Sequence, residues 1–300
     1  MRAHEAAITF QQIHIEVARN ATDDFNPFHD KNKWQRIHRN PFGGPIVLGF
    51  QLEALIEHHI ELHRSSHDEN ALLKMHKLRF SNYQFTFASA VTCGQDITID
   101  IRKSQLKAGN NTVLSNRVCI KAGGKLALLG YKRESQAPLF LPDANLDKLG
   151  DLNRATDRAL LPGLPFFLKR KFMTNSNAKN FLTGSLAEQA DYFDELENRT
   201  QYPEIFPCGL ISCALLERAM SEGHDFERNP MVYTSHKITV DRRHLCQLRS
   251  NDKLHILVQR MEPHCAEHHY ECYGVVGNED LLFRAQIALT PLEAILGQPG

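Results

Sequence analysis

Ile46-Val47-Leu48-Gly49-Phe50-Gln51-Leu52-Glu53-Ala54-Leu55-Ile56-Glu57 is the stretch that decides the fold class. Its apolar residues cover nearly the whole circumference of a helix up to Glu57, so the spacing predicts a helix buried on most sides. Gly43-Gly44-Pro45 precedes it, and a proline suits a helix's first turn, where an amide needs no partner. Downstream, residues 78–80, 83–87, 97–101, 113–120 and 126–131 read as short strands, and Gly123-Gly124 as the hairpin turn between the last two. Upstream, residues 8–10 read as extended and residues 13–21 as a short helix, with Ile13, Val17 and Ala21 at helical spacing. One buried helix followed by an antiparallel meander is an α+β layout in which a sheet wraps around a helix.

The second half of the chain repeats this layout. Gly209-Leu210-Ile211-Ser212-Cys213-Ala214-Leu215-Leu216-Glu217 echoes the stretch from Gly49, and strand signals follow at 231–236, 254–260, 270–276 and 281–289, with Gly277-Asn278 as a turn. Residues 182–193 align with the first short helix: Ala187, Ala190 and Phe193 have the spacing of Ala18, Ala21 and Asp24. Prolines and charges in 134–165 (Pro138, Pro142, Asp143, Asp147, Lys148 and Asp151) read as a connection. The expected division is residues 1–135, a linker at 136–165, and residues 166–300. A chain of 300 residues has room for two such domains. A sheet with an open edge pairs with another, so two copies on one chain predict an internal pseudo-dimer, with a homodimer as a further option.

The chemistry lies before the helix, in Ala21-Thr22-Asp23-Asp24-Phe25-Asn26-Pro27-Phe28-His29-Asp30. Such strings are common in surface turns, where an Asp caps a following helix. Here Asn26-Pro27 stops the chain from continuing as a helix and can bring Asp24 and His29 to one side of a bend. A carboxylate and an imidazole around one water form a minimal proton-transfer device near neutral pH. In the second half Phe193 falls where Asp24 stands and no histidine follows at the matching distance, so that half is expected to be structural.

These residues carry a resemblance. Asp24, Asn26, Pro27 and His29 match a motif of the form G-D-x-N-P-x-H, Pro45-Ile46-Val47-Leu48-Gly49-Phe50 a second element P-I-x-H-G-x, and Ala90-Val91-Thr92-Cys93-Gly94-Gln95 echoes a third, P-V-x-x-G-D. Over residues 8–133 the chain resembles the MaoC-like, R-specific enoyl-CoA hydratase family of hotdog folds, and in its tandem layout the eukaryotic type 2 enoyl-CoA hydratases. In those proteins the active half is usually the C-terminal one; here it is the N-terminal. The chain departs from the pattern at Asp23 (usually glycine), Leu48 (usually histidine), Ala90, Gln95 and Glu57, near where a small hydroxyl residue is often found.

The resemblance implies a tandem hotdog acting as a lyase of fatty acid metabolism. It would reversibly hydrate trans-2-enoyl thioesters of coenzyme A or acyl carrier protein to (R)-3-hydroxyacyl thioesters. Asp24 and His29 would hold the water, the Gly49 N–H would stabilise the enolate oxygen, Asn26 would orient the loop, and Phe28, Pro45 and Phe50 would line the acyl site. Which of Asp24 and His29 is the base stays open. Two other readings remain: a non-catalytic acyl-thioester-binding or scaffold hotdog, and a hotdog acyl-CoA thioesterase using Glu53 or Glu57 on the central helix.

Composition limits the rest. Lys+Arg and Asp+Glu are both 35, so no strong basic field draws nucleic acid or an anionic membrane. Lys169-Arg170-Lys171 and Lys31-Asn32-Lys33 are candidate phosphate contacts, although charge runs are usually solvated. No apolar run reaches spanning length and the N-terminus starts no signal peptide, and the seven scattered cysteines suggest a reducing cytoplasm. Neither His58, His59, His63 and His67 nor the His264, Cys265, His268, His269 and Cys272 group has a zinc-motif spacing, so no metal and no cofactor is expected. Cys208 and Cys213 read as small core residues.

Overall fold

The structure, a computed structural model, describes residues 8–142, 146–262, 267–278 and 280–297. A two-residue strand β1 (Ile8–Thr9) leads into helix α1 (Gln12–Thr22), which is followed by single 3-10 turns at Pro27–His29 and Trp34–Arg36. The buried helix α2 runs Gly49–Ser66 and starts later than its apolar pattern suggests. Ile46 and Val47 are extended: Ile46 pairs with Thr92, its amide donates to the Phe28 carbonyl (3.0 Å), and the Val47 amide donates to Val91 (2.8 Å). Those tertiary bonds keep Pro45 out of the first helical turn, contrary to the sequence-based expectation.

Burial of α2 extends to its polar residues. Phe50, Leu52, Ala54, Leu55, Ile56 and Ile60 are buried, each large one contributing about 1.5–3 kcal/mol. Gln51, Glu53, Glu57 and Arg64 are buried beside them and must be paired, because an unpaired buried polar group is costly. Gln51 donates to the carbonyls of His14 (3.2 Å) and Gly184, Glu53 meets His236 (2.9 Å), and Glu57 accepts from the amides of Glu204 and Ile205. Arg64 donates to Asn116 and Glu134. Three of these four residues tie the first half of the chain to the second.

After the short helix α3 (Asn70–Met75) come β2 (Phe80–Phe87), β3 (Asp96–Ile101), β4 (Gln105–Lys107), β5 (Val113–Ala122) and β6 (Lys125–Ser135). The two strands expected at 78–80 and 83–87 are one. The second half contains β7 (Ala159–Leu160), β8 (Phe167–Phe172) and α4 (Asn175–Gly184). A separate ribbon β9 (Phe193–Asp194) and β10 (Arg199–Thr200) leads to α5 (Ile205–Gly209) and α6 (Ile211–Ser221). Then follow β11 (Met231–Asp241), α7 (Arg242–Leu245), β12 (Lys253–Arg260), β13 (His268–Val276), β14 (Asp280–Pro291) and α8 (Leu292–Leu296).

Twelve strands form one sheet in the order β1-β3-β5-β6-β2-β11-β14-β13-β12-β8-β7, with β4 beside β5. The halves join where β2 and β11 run antiparallel, from Phe80 opposite Asp241 to Thr86 opposite Ser235. Each half's inner edge is thereby covered by the other. The two orders mirror each other about that junction, the arrangement of a dimer of equal sheets built within one chain.

The counterpart of α1 is α4. The two helices cross so closely that a Cβ on Gly184 would stand 2.8 Å from the Cβ of Ala18 and the carbonyl oxygen of His14. This corrects the alignment of residues 182–193 with α1: the helix ends at Gly184, and Phe193 lies in the small ribbon. The connecting segment is packed as well. Leu149, Leu152 and Leu161 are buried against Leu168, Leu257, Tyr273 and Val275. Alternation along β12 sends Ile256 and Val258 to the helix side and Leu257 to this other face, which the connection covers.

Candidate active site

Helix α1 ends because Asp23 adopts φ 52°, left-handed backbone, with its amide still bonded to the carbonyls of Arg19 and Asn20. This is the conformation a glycine adopts most easily and Asp tolerates. The glycine-to-Asp departure therefore leaves the local backbone intact. The Asp23 side chain turns outward to Lys171 and stays largely exposed, away from Asp24.

A chain of short caps then shapes the bend. Asp24 Oδ1 accepts the Asn26 amide (2.9 Å), and Asn26 Oδ1 accepts the Phe28 amide (3.1 Å), starting the turn at Pro27. That turn carries His29 inward. Its Nδ1 lies 2.7 Å from the Ile46 carbonyl oxygen, and its Nε2 lies 4.0 Å from Asp24 Oδ2, both side chains buried. The sequence prediction that the bend unites Asp24 and His29 matches this geometry. Arg19 braces the far end of the loop through Asp30 (3.0 Å).

Asn26, Phe28, His29 and Gly49 line a cavity of about 510 Å³. Asp24, Pro45 and Phe50 do not. Pro45 is buried at the start of the extended approach to α2, and Phe50, one residue on from Gly49, points about 100° away around the helix. It packs instead on Tyr233, His236 and the backbone of Gly209. The third motif element also reaches the cavity, through Ala90 and Val91. Gln95 closes its turn by accepting the Thr92 amide (2.9 Å), and Gly94 has φ 80°.

At the start of α2 the Gln51 side chain accepts the Leu48 amide (3.3 Å), half of a capping box that Leu48 itself cannot complete. The amides of Gly49 and Phe50 have no partner among the described residues. Gly49, with its unpartnered N–H at the positive end of an 18-residue helix, is one of the residues that line the cavity.

The far wall belongs to the second half, which sequence reading had cast as purely structural. Leu215, Leu216 and Ala219 of α6, Tyr233 of β11, Tyr270 of β13 and Leu292 line it. The Tyr233 hydroxyl bonds to Ser212 Oγ (2.9 Å), and burial and the nearby Asp24 carboxylate push its acidity well out of reach. A clue was available: if two sheets join edge to edge, the first strand of the second half must lie beside the first half's site.

The start of α5 is closed. The Glu57 carboxylate accepts the amides of Glu204 (2.8 Å) and Ile205 (3.0 Å) there. Burial and the neighbouring Glu204 carboxylate push Glu57 up to about 8. Lys132 bridges Glu134 (2.8 Å) and Glu204 (3.1 Å) behind it. Glu53 likewise faces His236, and neither carboxylate lines the main cavity.

Four of the candidate phosphate contacts have protein partners. Lys169 pairs with Glu217 (2.8 Å), Arg170 donates to the carbonyls of Leu152 and Ala155, Lys171 meets Asp23, and Lys31 meets Glu16 (3.2 Å). Cys208 and Cys213 are buried, and burial raises both thiols, Cys213 to about 12. His264 and Cys265 lie outside the described residues, among which no three His, Cys, Asp or Glu side chains converge as metal ligands would. No helix among the described residues is long and apolar enough to cross a membrane.

No protein-family profile matches the sequence, and no curated protein matches it. Solved structures do resemble it over nearly its whole length. A MaoC-like dehydratase superimposes with a TM-score of 0.61 at 8% identity, covering 95% of both chains. A conserved hypothetical protein from Mycobacterium tuberculosis, described as having a double hotdog fold, gives 0.56 at 11% identity over 95% of this chain and 93% of its own. The fold is a double hotdog. A MaoC domain protein dehydratase from Chloroflexus aurantiacus superimposes at 0.57 and 8% identity over 96% of this chain and 93% of its own. At such identities the double hotdog fold is what these proteins share with this chain.

Proposed function

We propose that the protein reversibly hydrates trans-2-enoyl thioesters of coenzyme A or an acyl carrier protein to 3-hydroxyacyl thioesters. The observation that carries this reading is the buried Asp24–His29 pair, 4.0 Å apart, of which His29 lines a cavity that Gly49 lines as well. A gap of that size is too long for a direct hydrogen bond. One water bonded to both groups at about 2.8 Å fits it.

The Ile46 carbonyl can only accept, so the His29 Nδ1 carries the ring proton and Nε2 is left as an acceptor. That tautomer supports His29 as the base. Water oxygen attacks C3 while its proton passes to Nε2. The double-bond electrons move onto the thioester carbonyl, whose oxygen becomes an enolate facing the Gly49 N–H. The imidazolium, stabilised by Asp24, then returns a proton to C2. The net change is addition of one water across C2 and C3, both atoms delivered from the His29 side. Phe28, Phe87, Val91, Leu215 and Leu216 supply an apolar lining suited to an acyl chain.

Thioester hydrolysis by Glu53 or Glu57 is disfavoured, because both carboxylates are engaged away from the cavity. The test is the ultraviolet absorbance of trans-2-enoyl-CoA incubated with the purified protein, beside measurement of free thiol. Loss of the conjugated absorbance without thiol release supports hydration. Thiol release supports hydrolysis, and saturable binding with neither change supports a binding protein.

A further inference from the structure

A second acid–imidazole pair lies behind the candidate site. His236, on β11 of the second half, places Nδ1 2.9 Å from Glu53 Oε1 on α2, and both side chains are completely buried. Glu53 is one helical turn beyond Gly49, so the two share a face of α2. The imidazole packs on Phe50 (4.6 Å between ring centres), Phe87 (4.9 Å) and Tyr233 (4.6 Å), and the last two line the cavity. A Cβ on Gly49 would stand 3.6 Å from His236 Cε1 and 3.1 Å from the Phe87 ring. The imidazole therefore touches the groups that frame the open Gly49 N–H.

Stability alone does not account for such a pair. Glu53 Oε2 and His236 Nε2 are buried without a hydrogen-bond partner, and an apolar pair of similar volume would fill the space without that cost. What apolar contact cannot supply is direction. One directional hydrogen bond between α2 and β11 fixes the rotation of the first helical turn relative to the second half, and with it the aim of the Gly49 amide.

We propose that Glu53 and His236 are a positioning pair that locks the oxyanion-stabilising start of α2 to the opposite half of the chain. The inference rests on the hydratase reading for its consequence in catalysis, but the lock itself is a property of the fold. Under this proposal the second half contributes a residue that sets the rate as well as a wall of the cavity.

The test compares Glu53→Gln, which keeps an acceptor oxygen toward His236, with Glu53→Leu and His236→Phe, in the full-length chain. Steady-state hydration of trans-2-butenoyl-CoA is expected to show kcat about tenfold to a hundredfold lower in the two apolar variants with KM little changed, and near wild type in Glu53→Gln. Wild-type kcat in the apolar variants, or a loss confined to KM, overturns the proposal. So does an equal loss in Glu53→Gln. Backbone hydrogen exchange of residues 51–54 is the second readout and needs no reaction. Exchange is expected to quicken in the apolar variants and hold in Glu53→Gln, and unchanged exchange in all three overturns the lock. A wild-type protein that hydrates nothing fails the hydratase reading, and the exchange result then decides on the lock alone.

Discussion

His29 Nδ1 lies 2.7 Å from the carbonyl oxygen of Ile46, and that contact determines which ring nitrogen is free to accept a proton. The carbonyl belongs to the extended stretch that delays the start of α2. The same extended stretch that shifts the helix start to Gly49 therefore sets the tautomer of the histidine. A variant that replaces the ring but keeps a donor to Ile46, His29→Asn, is expected to fold normally and to lose about 10²- to 10⁴-fold in kcat. Thermal unfolding beside steady-state kinetics checks both parts.

Gly49→Ala follows from the same geometry. The added methyl meets the Phe87 ring at 3.1 and 3.3 Å and must push it or the helix start aside. The ring can turn, so a small loss of stability, about 1 kcal/mol, is expected. The displaced N–H should lower kcat about tenfold or more. A urea titration and a kinetic comparison at one temperature separate the two effects.

Asp23 is a departure that the backbone tolerates. Asp23→Gly should retain full activity and stability to within about 1 kcal/mol, since it relieves the left-handed conformation while giving up a mostly exposed pair with Lys171. Asp23→Val, a branched residue at φ 52°, should cost about 1–2 kcal/mol. Urea midpoints of the two variants test this directly.

Glu57 makes stability depend on pH. Its folded acidity is raised to about 8 from an ordinary 4.5, so the folded chain holds a proton that the unfolded chain has lost. Stability should fall as pH rises between those values and level off above about 8. Glu134 acts in the opposite sense. Although burial opposes it, Lys132, Arg64 and Arg242 hold it below the usual carboxylate range, and the stability it lends is lost as pH drops through and below that range. Glu57→Gln should be less stable at pH 6, having lost an acceptor for the Ile205 amide, but should show a shallower decline toward pH 8. Urea midpoints at pH 5, 6, 7, 8 and 9 for both proteins would reveal the difference in slope.

Much of the fold was legible because local pattern and tertiary outcome agree. The helix at 13–21, the strands at 97–101, 113–120 and 126–131 and the Gly123-Gly124 turn fall within a few residues of α1, β3, β5, β6 and the hairpin between the last two, whereas the short β4 has no counterpart in that reading. The motif elements around Asp24, Gly49 and Val91 meet at one cavity because the turn residues Asn26, Pro27 and Gly94 carry their own geometry. Less legible was anything decided by distant contacts. The start of α2 is displaced by the Ile46–Thr92 pairing, and α4 is fixed against α1 by the missing side chain of Gly184. Gln51, Glu53 and Glu57 of α2 are its links to the second half, through partners that no local pattern around them names. Tyr233 and the α6 wall could not be seen from any motif, because they reach the site only when β2 and β11 join.

The central claim is that Asp24 and His29 act together on one water. The most direct measurement is hydration of trans-2-butenoyl-CoA in deuterated water by the wild type, Asp24→Asn and His29→Ala. Absorbance gives the rate, and the deuterium position and product handedness come from the isolated 3-hydroxyacyl thioester. The account predicts a single deuterium at C2, one product hand, and loss of about 10²-fold or more in each variant. Hydration that persists at the wild-type rate in either variant would contradict it.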